Sequence, residues 1–432
     1  MAANLKRVSV ANVLLWGRRV GAVAWDEARQ LATFEYADSF LREGFEVSPL
    51  MLPRRKGIFS FPSLSRETYL GLPGLLADSL PDRFGNALID LWLARNGRSA
   101  GDFSPVERLC YVGSRGIGAL EYKPAIGGRQ IASVPLEIGE LTALAQQILD
   151  KRVDLTVNLG ESQKAIETIF RVGTSAGGAR PKALIAWNRK TGQVRSGQVT
   201  PPEGFEPWIL KFDGIRDDLL GDSLGYGLIE FAYHRMAIDA GITMSECRLL
   251  KEGGRAHFMT RRFDRTRSNQ KLHMQSLCGL SHLDYRMAGA YGYEQTFSAI
   301  QQLALGYPVL SQMFRRMVFN IVARNQDDHT RNIAFLMNDR GEWCLSPAFD
   351  VIWAYNPIGP WTSAHQMSVG GKRDGFTRSD LTRVGKEYGI TGADEIIQDV
   401  IEVVKRWPTY AGDAGVAEGR IRQIAETHRT VL

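Results

Sequence analysis

The sequence predicts an α+β fold with two domains, an α/β N-terminal domain that includes a small β subdomain and an all-helical C-terminal domain. Three observations predict this fold. The first sixty residues alternate apolar and polar side chains in short segments separated by glycine and proline, which is typical of short strands. Two apolar runs typical of buried strands follow a glycine-rich stretch near the middle of the chain. Helical spacing of apolar residues dominates beyond residue 266.

Length and composition indicate a globular protein with more than one core. The chain has 432 residues, of which 44% are apolar, and this is enough for at least two packed cores. Its 44 glycines and 17 prolines are near average usage, which excludes collagen-like and low-complexity proteins. The 53 basic and 47 acidic side chains leave a net charge of +6, which permits an acidic partner. Dense Lys/Arg runs, the mark of a dedicated nucleic-acid binder, are absent from the sequence.

Membrane and metal-cluster signals are also absent from the sequence. No stretch approaches the ~18 apolar residues that a membrane helix needs, and the first 21 residues do not read as a signal peptide. We therefore expect a cytoplasmic protein without a membrane partner. The four cysteines include no Cys-x-x-Cys pair, so we expect neither a disulfide framework nor a zinc site.

The first two thirds of the chain divide at about residue 125. Residues 1–125 are predicted to form the β-rich subdomain, with a helical stretch over residues 75–96 where apolar side chains recur about every four positions despite a break at Pro81. Residues 126–265 are predicted to form an α/β part with strands over residues 183–187 and 208–212. A helix from about residue 222 to residue 240 follows these strands.

The remaining residues, 266–432, are predicted to form the helical domain. A helix over residues 312–324 carries apolar side chains on one side. One hairpin-like interruption is expected over residues 332–347, where a turn at residues 338–341 separates two short apolar runs.

The glycine-rich segment over residues 173–182 suits the binding of a phosphate. Consecutive small residues let backbone N–H groups approach an anion closely, and Lys182 adds a cation nearby. A flexible surface turn explains the same pattern about as well. The segment also fits the Gly-x-Ser-x-Gly pattern of a hydrolase nucleophile elbow, but Pro181 and a strand follow where an elbow needs a helix.

Lys211 lies in an apolar strand run, where an ammonium group is costly to bury without a partner. A nucleotide phosphate together with Glu230, a carboxylate on the next helix, would hold it. A strand-end lysine that reaches solvent is the alternative.

The most specific signal in the sequence is the polar cluster over residues 325–332. Asp327 and Asn332 reproduce the Asp-x-x-x-x-Asn spacing of phosphotransferase catalytic loops, in which the Asp orients or deprotonates the acceptor hydroxyl and the Asn oxygen binds Mg²⁺. A capping cluster at the helix end can imitate this spacing. His329 has no second His or Cys at ligand spacing, so we expect it to orient the loop, to contact phosphate or to be structural.

The predicted hairpin ends at Asp350, which brings this carboxylate back beside Asn332. Oxygen ligands from these two residues would hold a hard divalent cation such as Mg²⁺ against substrate phosphates. The order of glycine loop, lysine, glutamate, catalytic loop and second aspartate suits ATP phosphoryl transfer, which needs charge neutralisation and positioning more than covalent chemistry.

These residues resemble the HipA family of serine/threonine kinase toxins, whose fold is related to that of protein kinases and phosphatidylinositol kinases. The motifs that carry the resemblance occur in the family's order over most of the chain. They lie at residues 78–82, 113–119, 175–182, 262–265, 327–332 and 347–350.

The resemblance implies a role for each matching residue. Asp327 would be the catalytic base, Asn332 and Asp350 the Mg²⁺ ligands, and Lys211 a ligand of the ATP phosphates. Ser175 falls at the family's autophosphorylation position, where an added dianion would repel the nucleotide, and Thr174 is an adjacent acceptor. The residues assigned to ATP binding are Thr174, Ser175, Ala176, Gly177, Gly178, Lys182, Lys211, Glu230, Thr260, Arg261, Phe263, His329, Asn332 and Asp350.

Two features of the sequence bear on these assignments. Residues 259–263 resemble the adenine-binding hinge, in which backbone groups read the base. Arg261 stands at a hinge position that is acidic in some members, and Asp328 stands where some relatives have glycine. We expect Asp328 to add negative charge beside the metal site.

The family's biology implies the partners. The kinase would be a toxin of a toxin–antitoxin system, paired with a HipB-like helix-turn-helix antitoxin and bound to operator DNA through that complex. Its target would be a protein, with an aminoacyl-tRNA synthetase as one candidate, and its phosphorylation would arrest growth. A small-molecule kinase and an inactive pseudokinase that acts as a co-repressor scaffold are the alternatives.

Overall fold

A computed structural model describes residues 7–126, 133–150, 180–217, 221–222 and 225–432 of the chain. Its first part is a five-stranded antiparallel sheet in the order β4-β3-β2-β1-β5. The strands are β1 (Val10–Leu15), β2 (Arg18–Asp26), β3 (Leu31–Tyr36), β4 (Ile58–Phe59) and β5 (Leu120–Lys123). Alternate residues of β1, among them Val13 and Leu15, are fully buried, as a sheet with one covered face requires.

Four helices lie between β4 and β5 in the chain. They are α1 (Arg66–Tyr69), α2 (Gly74–Ala77), α3 (Arg83–Arg95) and α4 (Pro105–Val112). Three of them pack on this sheet, and α3 packs instead against the apolar cluster of the sheet in the middle of the chain. The helical stretch predicted over residues 75–96 breaks around Pro81, as the proline indicates, and does not continue as one helix. Asp82 caps a new helix instead, because its Oδ1 accepts a 2.7 Å hydrogen bond from the backbone N–H of Gly85.

A second five-stranded sheet, the central sheet, lies in the middle of the chain in the order β11-β12-β8-β6-β7, again antiparallel. Its strands are β6 (Lys182–Trp187), β7 (Val194–Ser196), β8 (Glu206–Lys211), β11 (Cys247–Glu252) and β12 (Arg255–Arg261). Helix α5 (Ile138–Asp150) precedes it, and a two-stranded ribbon of β9 (Arg216–Asp217) and β10 (Gly221–Asp222) follows β8. The register pairs Lys182 with Lys211, so the two lysines are directly opposite on neighbouring strands.

Helix α6 (Tyr226–Asp239) packs closely on β12. A side chain at Gly227 would clash with the strand, since a Cβ there would lie 2.0 Å from the carbonyl oxygen of Ala256. Glycine therefore sets the distance between this helix and the central sheet. Glu230 lies one turn further along α6 and is buried.

The rest of the chain contains both helices and a sheet, so the prediction of an all-helical C-terminal domain is wrong. The sheet has three antiparallel strands, β13 (His273–Ser276), β14 (Ala334–Met337) and β15 (Trp343–Leu345). Strands β14 and β15 form the expected hairpin. Strand β13 was not expected, because it is only four residues long and its neighbour is 58 or more residues away in the chain.

Helices surround the largest apolar cluster of the described residues. They are α7 (Leu277–Ser281), α8 (Tyr293–Gln302), α9 (Tyr307–Val322), α10 (Arg378–Glu387), α11 (Ala393–Lys405), α12 (Trp407–Ala414) and α13 (Glu418–Ala425). Fully buried aromatic residues such as Phe314 and Trp407 join α9 to α12 through this cluster. Helix α9 ends just before the polar cluster at residues 325–332, and its burial anchors that loop.

Within the described ranges, no helix is both long enough and apolar enough to cross a bilayer. The domain boundaries near residues 125 and 265 stay predictions.

The close packing of α6 on β12 makes a stability prediction. We expect Gly227→Ala to lower the free energy of unfolding by about 1–3 kcal/mol, since the added methyl group must displace the helix from the sheet. Gly412→Ala in α12 is the matched control, because nothing lies within 4 Å of its Cβ position. Alanine there should raise the free energy of unfolding by about 0.5–1 kcal/mol. Urea unfolding measures both variants. An equal increase in the free energy of unfolding of the two variants would contradict the packing of α6 on β12.

Candidate active site

One cleft between the central sheet and the three-stranded sheet collects most of the side chains that the sequence singles out. Those that line it are Lys182, Lys211, Glu230, Thr260, Phe263, His329, Asn332 and Asp350. They come from β6, β8, α6, β12, the polar loop after α9 and the segment after β15. Residues 174–178, which include Ser175, lie outside the described residues.

A cluster of two lysines and two carboxylates lies at the centre of the cleft. Lys211 Nζ donates to Glu230 Oε1 at 2.5 Å and also to Asp350 Oδ1. Lys182 Nζ lies 3.5 Å from the other oxygen of Asp350. Asp350 thus bridges the two ammonium groups, and Glu230 holds Lys211 from the opposite side.

Burial and charge oppose each other in this cluster. Burial lowers the pKa of Lys211, but the carboxylates of Asp350 and Glu230 outweigh it and raise the pKa above its ordinary value. Burial likewise acts to raise the pKa of Asp350, but the ammonium groups of Lys182 and Lys211 hold that pKa well below its usual range. For Glu230, burial dominates and raises the pKa. Lys211 and Asp350 are therefore both charged at neutral pH.

Backbone pairing places Asp350 beside the polar loop. Ala354 donates its N–H to the carbonyl of Arg324 at 3.0 Å, and Gln326 donates to the carbonyl of Ala354 at 3.1 Å. The segment after Asp350 therefore runs alongside the segment before Asp327. Asp350 itself has a φ of 52°, a left-handed conformation that costs a residue with a side chain roughly 1–2 kcal/mol. Its ion pairs with Lys182 and Lys211 help to hold this conformation.

The loop at residues 325–332 presents Asp327 and Asn332 in different ways. The Asp327 side chain is 41% exposed, and its Oδ1 accepts a 2.5 Å hydrogen bond from the indole N–H of Trp361. Asn332 donates its amide N–H to the backbone carbonyl of Asp327 at 2.9 Å. Among the described residues no donor reaches Asn332 Oδ1, so this oxygen is available in the cleft that also contains Asp350.

These oxygens fit a hard divalent cation. An amide oxygen and a carboxylate are ligands that Mg²⁺ accepts, and it takes its other ligands from water and phosphate. In the ranges that the structure covers, no group of three or more His, Cys, Asp or Glu side chains could hold a metal on its own. A cation here would therefore depend on oxygens of a bound substrate.

Asp328 is buried and lines a small cavity together with the predicted metal ligands Asn332 and Asp350, so the expectation that it adds negative charge beside the metal site stays a prediction. Its side chain is 1% exposed, and both oxygens are engaged. Oδ2 accepts hydrogen bonds from Tyr293 and His365, each at 2.8 Å, and Oδ1 accepts one from the backbone N–H of Gln366 at 2.8 Å. Asp328 thus anchors the loop to the helical region, and its neighbour Asp327 faces outwards.

His329 lies between Asp327 and the cleft. Its Nε2 is 3.7 Å from Asp327 Oδ1, and its ring packs against Tyr285 with centroids 5.2 Å apart. Among the described residues its buried Nδ1 has no hydrogen-bond partner. A contact between His329 and phosphate stays a prediction.

The predicted hinge divides into residues that face the cleft and one that does not. Thr260 is buried and lines the cleft, and Phe263 lines it with its ring 5.3 Å from that of Phe349. Arg261 points away, towards Glu206 and Glu246 at 3.7 and 3.9 Å. Its backbone is also occupied, since its N–H donates to Glu246 and its carbonyl accepts from Ser245. The assignment of Arg261 to ATP binding is therefore wrong for this conformation, because β12 turns every second side chain outwards.

By contrast, no described residue hydrogen-bonds to the backbone N–H or carbonyl of Phe263. These groups lie just past the end of β12, beside an apolar part of the cleft. Its lining side chains are Ile209, Met244, Cys247, Phe258, Phe349 and Val351. An aromatic base would fit such a surface, with Phe263 as its backbone hydrogen-bonding partner.

Sequence reasoning missed several of these residues. The apolar lining comes from β8, β11, β12 and two loops, so no single periodic segment reveals it. Asp78 lines the cleft as well, and its carboxylate accepts hydrogen bonds from the N–H and hydroxyl of Ser276, each at 2.7 Å. Burial raises the pKa of Asp78, and the charge of Arg331 acts to lower it. The only signal in the sequence was the motif at residues 78–82.

The fold and the cleft together are those of a kinase-type phosphotransferase: a strand lysine paired with a helix glutamate, an Asp-x-x-x-x-Asn loop, and a second aspartate after a hairpin. The family follows from two domain profiles. The HipA-like C-terminal domain matches residues 174–407, which is more than half of the chain, and the HipA N-terminal domain matches residues 11–123. The chain belongs to the HipA family of toxin kinases.

Two relatives extend this result. Y4mE of Sinorhizobium fredii, a protein provisionally named a kinase, is 23% identical, and the alignment covers 96% of this chain and 88% of the relative. The solved structure of HipA from Shewanella oneidensis MR-1, in complex with HipB and its operator DNA, is similar with a TM-score of 0.64. The similarity covers 96% of this chain and 94% of the other chain. Because the two sequences are only 17% identical, it shows a shared fold and nothing further.

From the ion pairs of Lys211 we predict that its replacement destabilises the protein in a pH-dependent way. We expect Lys211→Met to lower the free energy of unfolding by about 3 kcal/mol or more at pH 8, because it leaves Glu230 and part of Asp350 buried without a counter-charge. Burial already raises the pKa of Glu230, and the loss of the Lys211 ammonium raises it further above its unfolded value. Protonation therefore becomes easier in the folded state, and the deficit should shrink as the pH falls towards 5.

The control is Lys190→Met, which removes an exposed lysine and should change stability little at either pH. Urea unfolding of both variants at pH 5 and pH 8 makes the comparison. The ion pairs described for Lys211 would be contradicted if Lys211→Met did not lower the free energy of unfolding, or if the loss grew as the pH fell.

Proposed function

We propose that this protein is an ATP- and Mg²⁺-dependent serine/threonine protein kinase of the toxin type. The observation that carries the proposal is the cluster of Lys182, Lys211, Glu230 and Asp350 in one cleft with the loop of Asp327 and Asn332. Two ammonium groups in one cleft are suited to a polyphosphate, and the carboxylate of Asp327, which lies 3.7 Å from the cleft-lining His329, is suited to a hydroxyl.

Each residue would have a separate task with ATP bound. Lys182 and Lys211 would neutralise the phosphates, and Glu230 would keep Lys211 in place. Asn332 Oδ1 and the carboxylate of Asp350 would hold Mg²⁺, which neutralises charge on the phosphate oxygens when it is bound. The backbone of Phe263 would read the adenine, while Ile209 and Phe258 contact its faces.

Asp327 would act on the acceptor. The hydroxyl oxygen of a serine or threonine forms a bond to the γ-phosphorus, and the bond from that phosphorus to the bridging oxygen of ADP breaks. The hydroxyl proton passes to the carboxylate of Asp327. The 41% exposure of this side chain supports an acceptor that arrives from solvent as part of a protein.

The glycine-rich loop would be the kinase's own substrate. Ser175, or the adjacent Thr174, would accept a phosphoryl group, and its charge would repel the ATP phosphates from Lys182 a few residues away. This self-inhibition stays a prediction, since both residues lie outside the described ranges. The same holds for phosphate contacts of Ala176, Gly177 and Gly178.

The family suggests the partners. A HipB-like helix-turn-helix antitoxin would neutralise the kinase, and the pair would bind operator DNA, as the components of the similar Shewanella oneidensis structure indicate. The target would be a cytoplasmic protein whose phosphorylation arrests growth, with an aminoacyl-tRNA synthetase as one candidate.

The direct test is intact mass and peptide mapping after incubation of phosphatase-treated protein with Mg-ATP. We expect one added phosphoryl group, on Ser175 or Thr174, in the wild type. Asp327→Asn should lower the rate of transfer at least 100-fold while ATP binding changes little, because this side chain serves the acceptor and not the nucleotide.

Asp339→Asn is the matched control, since Asp339 lies in the exposed turn after β14 and should leave transfer unchanged. Neither transfer nor ATP binding by the wild type would favour the pseudokinase scaffold. Binding of ATP with transfer only to a small molecule would favour the small-molecule kinase.

A further inference from the structure

The carboxylate of Asp327 has one partner that the sequence did not indicate. Trp361 donates its indole N–H to Oδ1 of Asp327 at 2.5 Å, which is a charge-assisted hydrogen bond. Among the described residues no other side chain hydrogen-bonds to this oxygen, and Nε2 of His329 lies 3.7 Å from it. One lone pair of Oδ1 therefore accepts from Trp361, and in the part of the chain that the structure describes no side chain hydrogen-bonds to Oδ2, so both of its lone pairs are left for another donor.

Trp361 is itself held by the segment that contains Asp327. Gln326, which is fully buried, donates its amide N–H to the carbonyl of Thr362 at 3.2 Å. Gln366, also buried, donates to the carbonyls of Trp361 and of Gln326, the latter at 3.3 Å. Two buried glutamine side chains thus fix the backbone at Trp361 relative to the residue that precedes Asp327.

The loop around Trp361 is also closed on itself. The N–H of Asn356 donates to the carbonyl of Thr362 at 3.2 Å, and Ile358 donates to the Asn356 side chain at 3.2 Å. These bonds hold the backbone of the segment, and the indole ring of Trp361 also packs edge-on against His329, with ring centroids 6.2 Å apart. The restraint therefore acts on the carboxylate, whose own side chain is 41% exposed and would otherwise rotate.

From this geometry we propose that Trp361 is the positioning residue of the candidate base. It fixes the rotamer of Asp327 and reserves Oδ2 for the hydroxyl of the acceptor. The inference rests on the proposed function, since it assigns Trp361 a role in the same phosphoryl transfer. It adds that orientation of the base depends on the segment over residues 356–366, which follows Asp350, and not only on the loop of Asp327.

The first test observes the hydrogen bond without using activity. In ¹H–¹⁵N spectra of protein labelled with ¹⁵N-tryptophan, the indole signal of Trp361 is identified by its loss in Trp361→Phe. We expect Asp327→Asn to shift this signal upfield, because a charge-assisted bond becomes a neutral one. The signal of Trp16, whose indole N–H donates to the carbonyl of Lys271 at 2.7 Å, should stay in place. An unshifted Trp361 signal would overturn the proposal.

The second test measures how the hydrogen bond from Trp361 to Asp327 affects kcat and the KM for ATP. We expect Trp361→Phe to lower kcat about 10- to 100-fold and to leave KM for ATP within about twofold, since misplacement of the base affects transfer and not nucleotide binding. Trp16→Phe is the matched control and should keep wild-type kcat. If Trp361→Phe does not fold, β-(3-benzothienyl)alanine at position 361 removes the N–H with almost no change of shape. Wild-type kcat in a folded variant would overturn the proposal.

The two tests separate failure of this inference from failure of the proposed function. If the wild type transfers no phosphoryl group, the proposed function fails, and a shifted Trp361 signal would still establish that Trp361 orients Asp327. Suppose instead that the wild type transfers a phosphoryl group, while the Trp361 indole signal is unshifted in Asp327→Asn and kcat is unchanged in Trp361→Phe. In that case the proposed function stands, and the role assigned to Trp361 is wrong.

Discussion

Two ammonium groups directly opposite each other on neighbouring strands are the constraint on which the site depends. Lys182 and Lys211 are paired by the register of β6 and β8, and like charges in that position repel. The central sheet is therefore stable only with carboxylates at this point. Glu230 and Asp350 supply them from α6 and from the segment after β15, so charge neutralisation ties the sheet to both elements. The same charges make the cleft suitable for a polyphosphate, which can compete with Asp350 for the two lysines.

The elements that carry Asp327 and Asp350 are joined by backbone pairing, and the end of the described chain reinforces them. Arg324 donates to the carbonyl of Thr427 at 2.7 Å, and Arg429 donates to Nε2 of His365 at 2.9 Å. Because a guanidinium group only donates, His365 accepts at Nε2 and must carry its proton on Nδ1, which donates to Asp328. Residues 427–429 thus reach the loop at residues 325–332 both through the imidazole ring of His365 and directly, since Arg429 also donates to Oε1 of Gln326 at 3.4 Å. The loop is rigid on its buried side and open at Asp327.

Local patterns predicted much of this arrangement. A lysine in an apolar strand needed a partner, and the structure pairs Lys211 with Glu230; a hairpin after Asn332 predicted that Asp350 returns beside it. What failed depended on contacts between distant segments. Strand β13 exists through its pairing with β14. The outward direction of Arg261 follows from the strand register, and the hydrogen bond from Trp361 follows from a loop with no periodic pattern.

The central claim is that one nucleotide bridges the lysine cluster and the Asp327 loop. A crystal structure of the protein with Mg²⁺ and a non-hydrolysable ATP analogue tests it most directly. We expect phosphate oxygens within hydrogen-bond distance of Lys182 and Lys211, the cation on Asn332 Oδ1 and Asp350, and the terminal phosphate facing Asp327. A nucleotide bound elsewhere, or one in the cleft that contacts neither lysine, would contradict it.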